Sequence, residues 1–311
     1  MIIKAPIDLE LTQNSGQTSQ PPWKLDNNIY SDVVVADNKA VLFQVKQKEN
    51  NLDFNFIGDI SNKEATKKIK TIFDLDFNLN KFYKYLNNQP ELADMTNFCR
   101  DLRLFLAKDK FECVISSVCS ANNSIVRWTK SIDDIKKSWG NKYTYSEKDY
   151  FTFPDVSDFK NIYCDNVEEF ECCSNLNNPG ECINNLKSCG VGYRAPYMKK
   201  ASEIFTLETD LDDISKMSYD EAFDTMLKVP GVGPKVADCI LLYGFNFRQA
   251  FPTDVWIKRI VSYLYFDGKD INVSKIREFG MEEFGDYAGY VQLYLFHYAR
   301  MSGLMKKLKG M

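Results

Sequence analysis

Two short runs rich in β-branched residues, 31–36 and 40–45, flank Asp37-Asn38-Lys39. They predict two strands joined by a hairpin-like turn. Residues 54–60 supply a third candidate strand, and 63–72 a charged, helical segment. The pattern changes from Asn97 onward. Phe105, Phe111, Val114, Ile115 and Val118 recur at helical spacing. Further helical patterns occupy 130–140, 197–206, 219–228, 235–243, 254–265, 273–284 and 287–308. The order predicts an α+β protein: an N-terminal antiparallel β-sheet module over 1–95, then an all-helical body over 96–311. No internal repeat is visible. Residues 162–189 read as a long, acidic, irregular stretch.

Composition narrows the class. At 311 residues, with 44% hydrophobic and 26% charged positions, the chain reads as a globular protein with room for two or three layers. The longest apolar stretch, 236–245, is broken by Asp238 and is too short to span a bilayer. The N-terminus lacks the pattern of a signal peptide, so a cytoplasmic, nucleoid-associated monomer is expected. Nine cysteines, an odd number, favour reduced thiols over a disulfide framework. Cys164, Cys172, Cys173, Cys182 and Cys189 do not form two Cys-x-x-Cys pairs, which argues against zinc. His297 is the sole histidine and reads as packed or surface, which argues against histidine-based hydrolytic triads. The net charge is −4. Nucleic-acid binding therefore has to come from backbone N–H groups, helix N-termini and small basic clusters.

The chemistry concentrates in two places. After a helical pattern that ends at Val229, Pro230-Gly231-Val232-Gly233 reads as a tight turn, with a new helix starting at Pro234. Gly231 and Gly233 permit positive φ and close backbone approach. The N–H groups at the new helix start suit a phosphate. Lys235 falls in that first turn. There the helix field, with burial, is expected to lower its pKa toward neutrality, as a nucleophilic amine requires. A solvated, phosphate-contacting lysine is the alternative from spacing alone. Nineteen residues later, Phe251-Pro252-Thr253-Asp254 precedes another helix, with Thr253 or Asp254 as its N-cap.

Turn, lysine, spacing and aspartate together resemble the helix-hairpin-helix DNA glycosylase superfamily. The resemblance implies that Lys235 attacks the sugar C1′ and that Asp254 supports it electrostatically. More of the chain resembles one branch, the 8-oxoguanine DNA glycosylase family. Residues 111–127 look like its helix-and-loop block, with Asn122 entering the space left by a flipped base and Arg127 contacting the estranged cytosine. By the residues alone, Asn122-Asn123 is a helix-ending turn. Gly190-Val191-Gly192-Tyr193-Arg194-Ala195 resembles the segment whose tyrosine wedges into the stack and whose arginine also reads the orphan cytosine. Gln292 and Phe296, four apart on one helical face, match the residues that read the damaged base's edge and stack on its face. Gly16 matches the glycine whose carbonyl accepts the N7–H proton that guanine lacks, and Cys239 matches the pocket-wall cysteine.

The match runs roughly from 10 to 300, with three departures. Thr18-Ser19-Gln20-Pro21-Pro22-Trp23 follows Gly16 where relatives run Ser-Phe-Arg-Trp. Trp256 replaces a histidine that contacts the phosphate flanking the lesion. The 162–189 stretch is long. No cysteine follows Cys239, so the four-cysteine iron–sulfur cluster of endonuclease III relatives is missing.

The resemblance further implies a TATA-binding-protein-like N-terminal module and excision of 8-oxoguanine from duplex DNA. It also implies a Schiff base and β-elimination, with no metal in the chemistry and a structural cation held by hairpin carbonyls around Val229 and Val232. The competing readings are a glycosylase for another damaged base, and a non-catalytic hairpin module that only grips DNA.

Overall fold

The computed structural model describes residues 1–36, 39–164 and 184–308. Residues 37–38 of the expected hairpin turn, and Cys172, Cys173 and Cys182, lie outside them. The N-terminal sheet has five strands: β1 (Ile2–Ile3), β2 (Lys24–Asp26), β3 (Ile29–Ala36), β4 (Lys39–Lys48) and β5 (Asn51–Ile57). Their order is β1-β5-β4-β3-β2, antiparallel throughout. The Asn62–Ile72 helix, opened by a Ser61/Glu64 capping box, buries Ala65, Ile69 and Ile72 against the sheet.

The rest is mainly helical, with one correction: β6 (Lys142–Tyr145) and β7 (Lys148–Phe151) form an antiparallel ribbon within it. The expected 287–308 helix is two helices, Ala288–Met301 and Leu304–Leu308, separated at Gly303, whose φ is +84°. Of three apolar clusters, the sheet's gathers residues from Ile3 to Leu75 together with Phe105, the helical body's begins at Leu79, and a small one joins Val33 and Leu42 to Tyr150. Phe105 belongs to the sheet's core, stacked on Phe73 at 5.4 Å, and is not part of a helix.

Buried charge joins sheet to helices. Asp32 on β3 pairs with Lys108 and, at 3.4 Å, with Lys136; both lysines also lie within 4 Å of the fully buried Glu112. Burial opposes the Asp32 carboxylate, but the two lysines hold it below the usual carboxylate range. The segment 12–20 is the second joint. It is irregular after the Leu9–Asn14 helix and almost wholly buried, so its polar groups need partners. Gln17 accepts from Phe105 N–H at 2.8 Å and donates to the Arg103 carbonyl at 3.0 Å. Gln20 donates to the Leu106 carbonyl and accepts from the Trp23 indole. Gln20 and Trp23, from the run that departs from the family's usual one, thus act as fasteners together with Gln17, next to Gly16.

Candidate active site

Three walls enclose one cavity. The first is the fastened segment Ser15 to Thr18. Gly16 adopts φ +85°, a conformation that favours glycine; a methyl there would lie 2.7 Å from Ile125 Cδ1, the movable end of an exposed side chain. The second wall is the Pro234–Phe245 helix, which presents Lys235, Cys239 and Tyr243 at successive four-residue steps. The third is the Ala288–Met301 helix, which presents Gln292, Leu293 and Phe296. Asp254 closes the remaining side. The free space, including its open mouth, is about 410 Å³.

Local sequence explains each placement. The Tyr219–Leu227 helix ends before Pro230, and Gly231 turns the chain with φ +80°. A Cβ on Gly231 would meet the Tyr197 ring at 2.5 Å. Gly233 is the N-cap of the Pro234 helix, has negative φ, and leaves open space around its Cα. Of the two glycines, Gly231 alone is sterically obligatory. The helix is anchored by Asp238, fully buried, which accepts from Arg277 Nε at 2.7 Å and from the Tyr219 hydroxyl. Asp254 caps the Val255–Tyr265 helix, one oxygen accepting from Trp256 N–H at 2.9 Å and Ile257 N–H at 2.8 Å. Thr253 does not cap; its hydroxyl donates to the Phe251 carbonyl.

The electrostatics correct one expectation. Lys235 is half-buried, and burial is the largest influence on its amine, in the lowering direction. Cys239 and Asp254 oppose it, and the balance lies above the ordinary lysine value rather than depressed toward neutrality. The helix field and burial were the wrong terms to weigh alone, because the amine also faces a carboxylate through space and a sulfur in hydrogen-bond contact. Cys239 is itself raised, first by burial and against the pull of Lys235, so it stands as a neutral thiol near pH 7. Thr18 acts on the same thiol in the lowering direction, and both side chains line the cavity. Burial pushes the Tyr243 phenol well up as well. Gln292 is 8% exposed, and its Oε1 has no hydrogen-bond partner in the protein, an orphan acceptor in the cavity wall.

Six of the expected residues thus meet in one cavity: Gly16, Lys235, Cys239, Asp254, Gln292 and Phe296. The expected DNA contacts lie outside it. Asn122 (φ +50°) and Arg127 are exposed on the turn and first helical turn that follow the Lys110–Ser120 helix. Tyr193 is 58% exposed. Trp256 is half-buried with the Arg259 guanidinium 5.4 Å from its ring centre. Arg194 differs. It is 7% exposed and donates to the Ala121 carbonyl at 2.8 and 2.5 Å and to the Asn122 carbonyl at 3.0 Å. It braces the Asn122 turn, and its ring neighbour Tyr193 lies over the guanidinium at 4.4 Å. Sequence reading missed Ser15, Gln17, Thr18, Tyr243 and Leu293. Tyr243 alone carried a signal, since it continues the four-residue step from Lys235 through Cys239.

The family description "8-oxoguanine DNA glycosylase, N-terminal domain" matches residues 1–114, and "HhH-GPD superfamily base excision DNA repair protein" matches 115–285. A "Probable N-glycosylase/DNA lyase" from Methanothermobacter thermautotrophicus is 44% identical, over 97% of this chain and 96% of its own. The chain belongs to the 8-oxoguanine DNA glycosylase family. Another relative in the family, the "N-glycosylase/DNA lyase" of Saccharomyces cerevisiae, is 26% identical over 95% of this chain and 84% of its own. A solved structure of the Clostridium acetobutylicum 8-oxoguanine glycosylase/lyase, with duplex DNA containing cytosine opposite the lesion, has a TM-score of 0.78. It is 28% identical and covers 97% of this chain and 98% of its own.

Proposed function

We infer that this member of the family is a bifunctional DNA glycosylase and AP lyase that excises 8-oxoguanine from duplex DNA. The observation that carries the reading is the meeting of Lys235, Asp254, Gly16, Gln292 and Phe296 around one cavity. A backbone-gripping module needs the hairpin glycines but none of these side chains. A glycosylase for another lesion needs the lysine and aspartate but not an acceptor carbonyl at Gly16 opposite the Gln292 amide.

The target nucleotide leaves the stack at a cost of a few kcal/mol and enters the cavity. Phe296 stacks on the base, and Gln292 and the Gly16 carbonyl read its edges. As the C1′–N9 bond breaks, its electron pair leaves with the base, which takes up a proton. The Asp254 carboxylate stabilises the positive charge that develops on the sugar. The neutral Lys235 amine forms a bond to C1′, loses a proton, and the ring oxygen departs to give a Schiff base. Loss of a C2′ proton then expels the 3′ phosphate. Cys239 and Thr18 hold the lysine's direction, and Arg194 holds the Asn122 turn that fills the gap in the duplex.

No metal enters these steps. For the structural cation, the Val229 carbonyl accepts the Val232 N–H at 3.0 Å and keeps a second lone pair. It and the Val232 carbonyl would hold such an ion, which would stiffen the hairpin against a phosphate. Among the described residues no helix is long and apolar enough to cross a membrane. We place the protein in the nucleoid-associated cytoplasm as a monomer.

Because Lys235 rests above the ordinary lysine value, the attacking amine is a minor species at neutral pH. Borohydride trapping on a duplex with 8-oxoguanine opposite cytosine should accelerate roughly tenfold per pH unit from about 6 to about 9 while attack limits the rate. The matched guanine duplex should give no adduct. Equal trapping on both duplexes would refute the assignment of substrate. A pH-independent rate would place the neutral amine in the resting protein.

A further inference from the structure

The Ala288–Met301 helix carries Gln292 and Phe296 into the cavity, and the next residue on that face is Arg300. Its Nη1 lies 3.3 Å from the point a Cβ on Gly16 would occupy, beside Ile125. Other enclosed guanidinium groups are partnered: Arg103 by the Pro6 and Asp74 carbonyls, Arg194 by Ala121, Arg248 by Asp74 and Arg277 by Asp238. Arg300 is half-buried and, among the described residues, has neither a hydrogen bond nor an ion pair. The neighbouring titratable group is His297, whose imidazole is lowered by burial and then by Arg300 itself. A half-enclosed group with five donors and no acceptor from the protein has its acceptor outside the protein.

The geometry points to Arg300 as a binding residue for a backbone phosphate of the flipped nucleotide. The inference rests on the reading of the cavity as a nucleoside pocket. Helical rise sets Arg300 about 12 Å along the axis from Gln292 and about 6 Å from Phe296. A base edge held at Gln292 is out of reach from there. A base seated in the cavity leaves its phosphodiester outside it, and Ile125 and Arg300 meet beside Gly16 in the cavity wall. The guanidinium fork matches two phosphate oxygens. In a chain of net charge −4, such a contact matters more than the general field. Two lysines elsewhere on the surface are already engaged: Lys199 donates to the Ile162 carbonyl and Lys200 pairs with Glu203.

The test measures binding of a duplex with one 8-oxoguanine opposite cytosine on a Lys235→Gln background, which prevents turnover, from about 0.05 to about 0.2 M salt. Adding Arg300→Ala should weaken binding roughly tenfold and make the slope of log affinity against log salt shallower by about 0.9. Adding Arg300→Lys instead should restore the slope. Unchanged affinity, or weaker binding with the slope unchanged, overturns the proposal, since packing against Gly16 alone leaves the slope intact. Strand cleavage by the unsubstituted protein in the same buffers separates the two readings. Its absence sinks the nucleoside pocket itself; its presence with an unaltered Arg300→Ala slope sinks only the phosphate contact.

Discussion

Lys235→Gln is expected to lower strand cleavage at 8-oxoguanine by at least about 10⁴-fold and to abolish the borohydride adduct. The amine is the sole nucleophile on the cavity wall with a carboxylate facing it; Cys239, the other candidate, is held neutral by burial. Binding of the lesion duplex should change by no more than a few-fold, because Gly16, Gln292 and Phe296 are untouched. Gel resolution of cleavage products, alongside equilibrium binding, checks both halves. A variant that still cross-links would remove Lys235 from the mechanism. One that no longer binds would make the lysine a structural support.

The second large effect separates two duties of one side chain. Asp254 caps its helix through Trp256 N–H and Ile257 N–H, and it faces Lys235. Asn caps helices about as well as Asp. Asp254→Asn should therefore leave thermal stability within a few tenths of a kcal/mol while excision falls roughly 10²- to 10³-fold, the scale of removing one preorganised charge from a reaction site. Asp254→Ala should lose the cap as well, at about 1 kcal/mol. Calorimetry and single-turnover excision on both variants read the two duties apart. Normal excision by Asp254→Asn would reduce the residue to a plain cap.

The site was legible because its chemistry sits in short local patterns. The Pro230 to Lys235 turn, the Asp254 cap and the Gln292/Phe296 step each need only neighbouring residues to be recognised. What bound them together was not legible. Gln17, Gln20 and Thr18 look like loop polarity in sequence, yet they are buried fasteners whose partners lie 86 to 99 residues away. Asp32, Lys136 and Glu112 carry no local signal for the same reason, since each meets its partner from a distant element. The ribbon β6–β7 escaped because its strands are four residues each and its turn uses Ser146-Glu147, both at positive φ, in place of the glycine that marks such turns. The amine's protonation departs from expectation because burial, which lowers it, is outweighed by Cys239 and Asp254 on the same cavity wall, a balance that spacing does not weigh.

Peptide mapping of the borohydride-reduced complex with 8-oxoguanine duplex tests the central claim most directly. The account predicts a sugar remnant on the peptide containing Lys235 and on no other lysine or amine. A remnant on a different residue, or its complete absence despite base release, would contradict it.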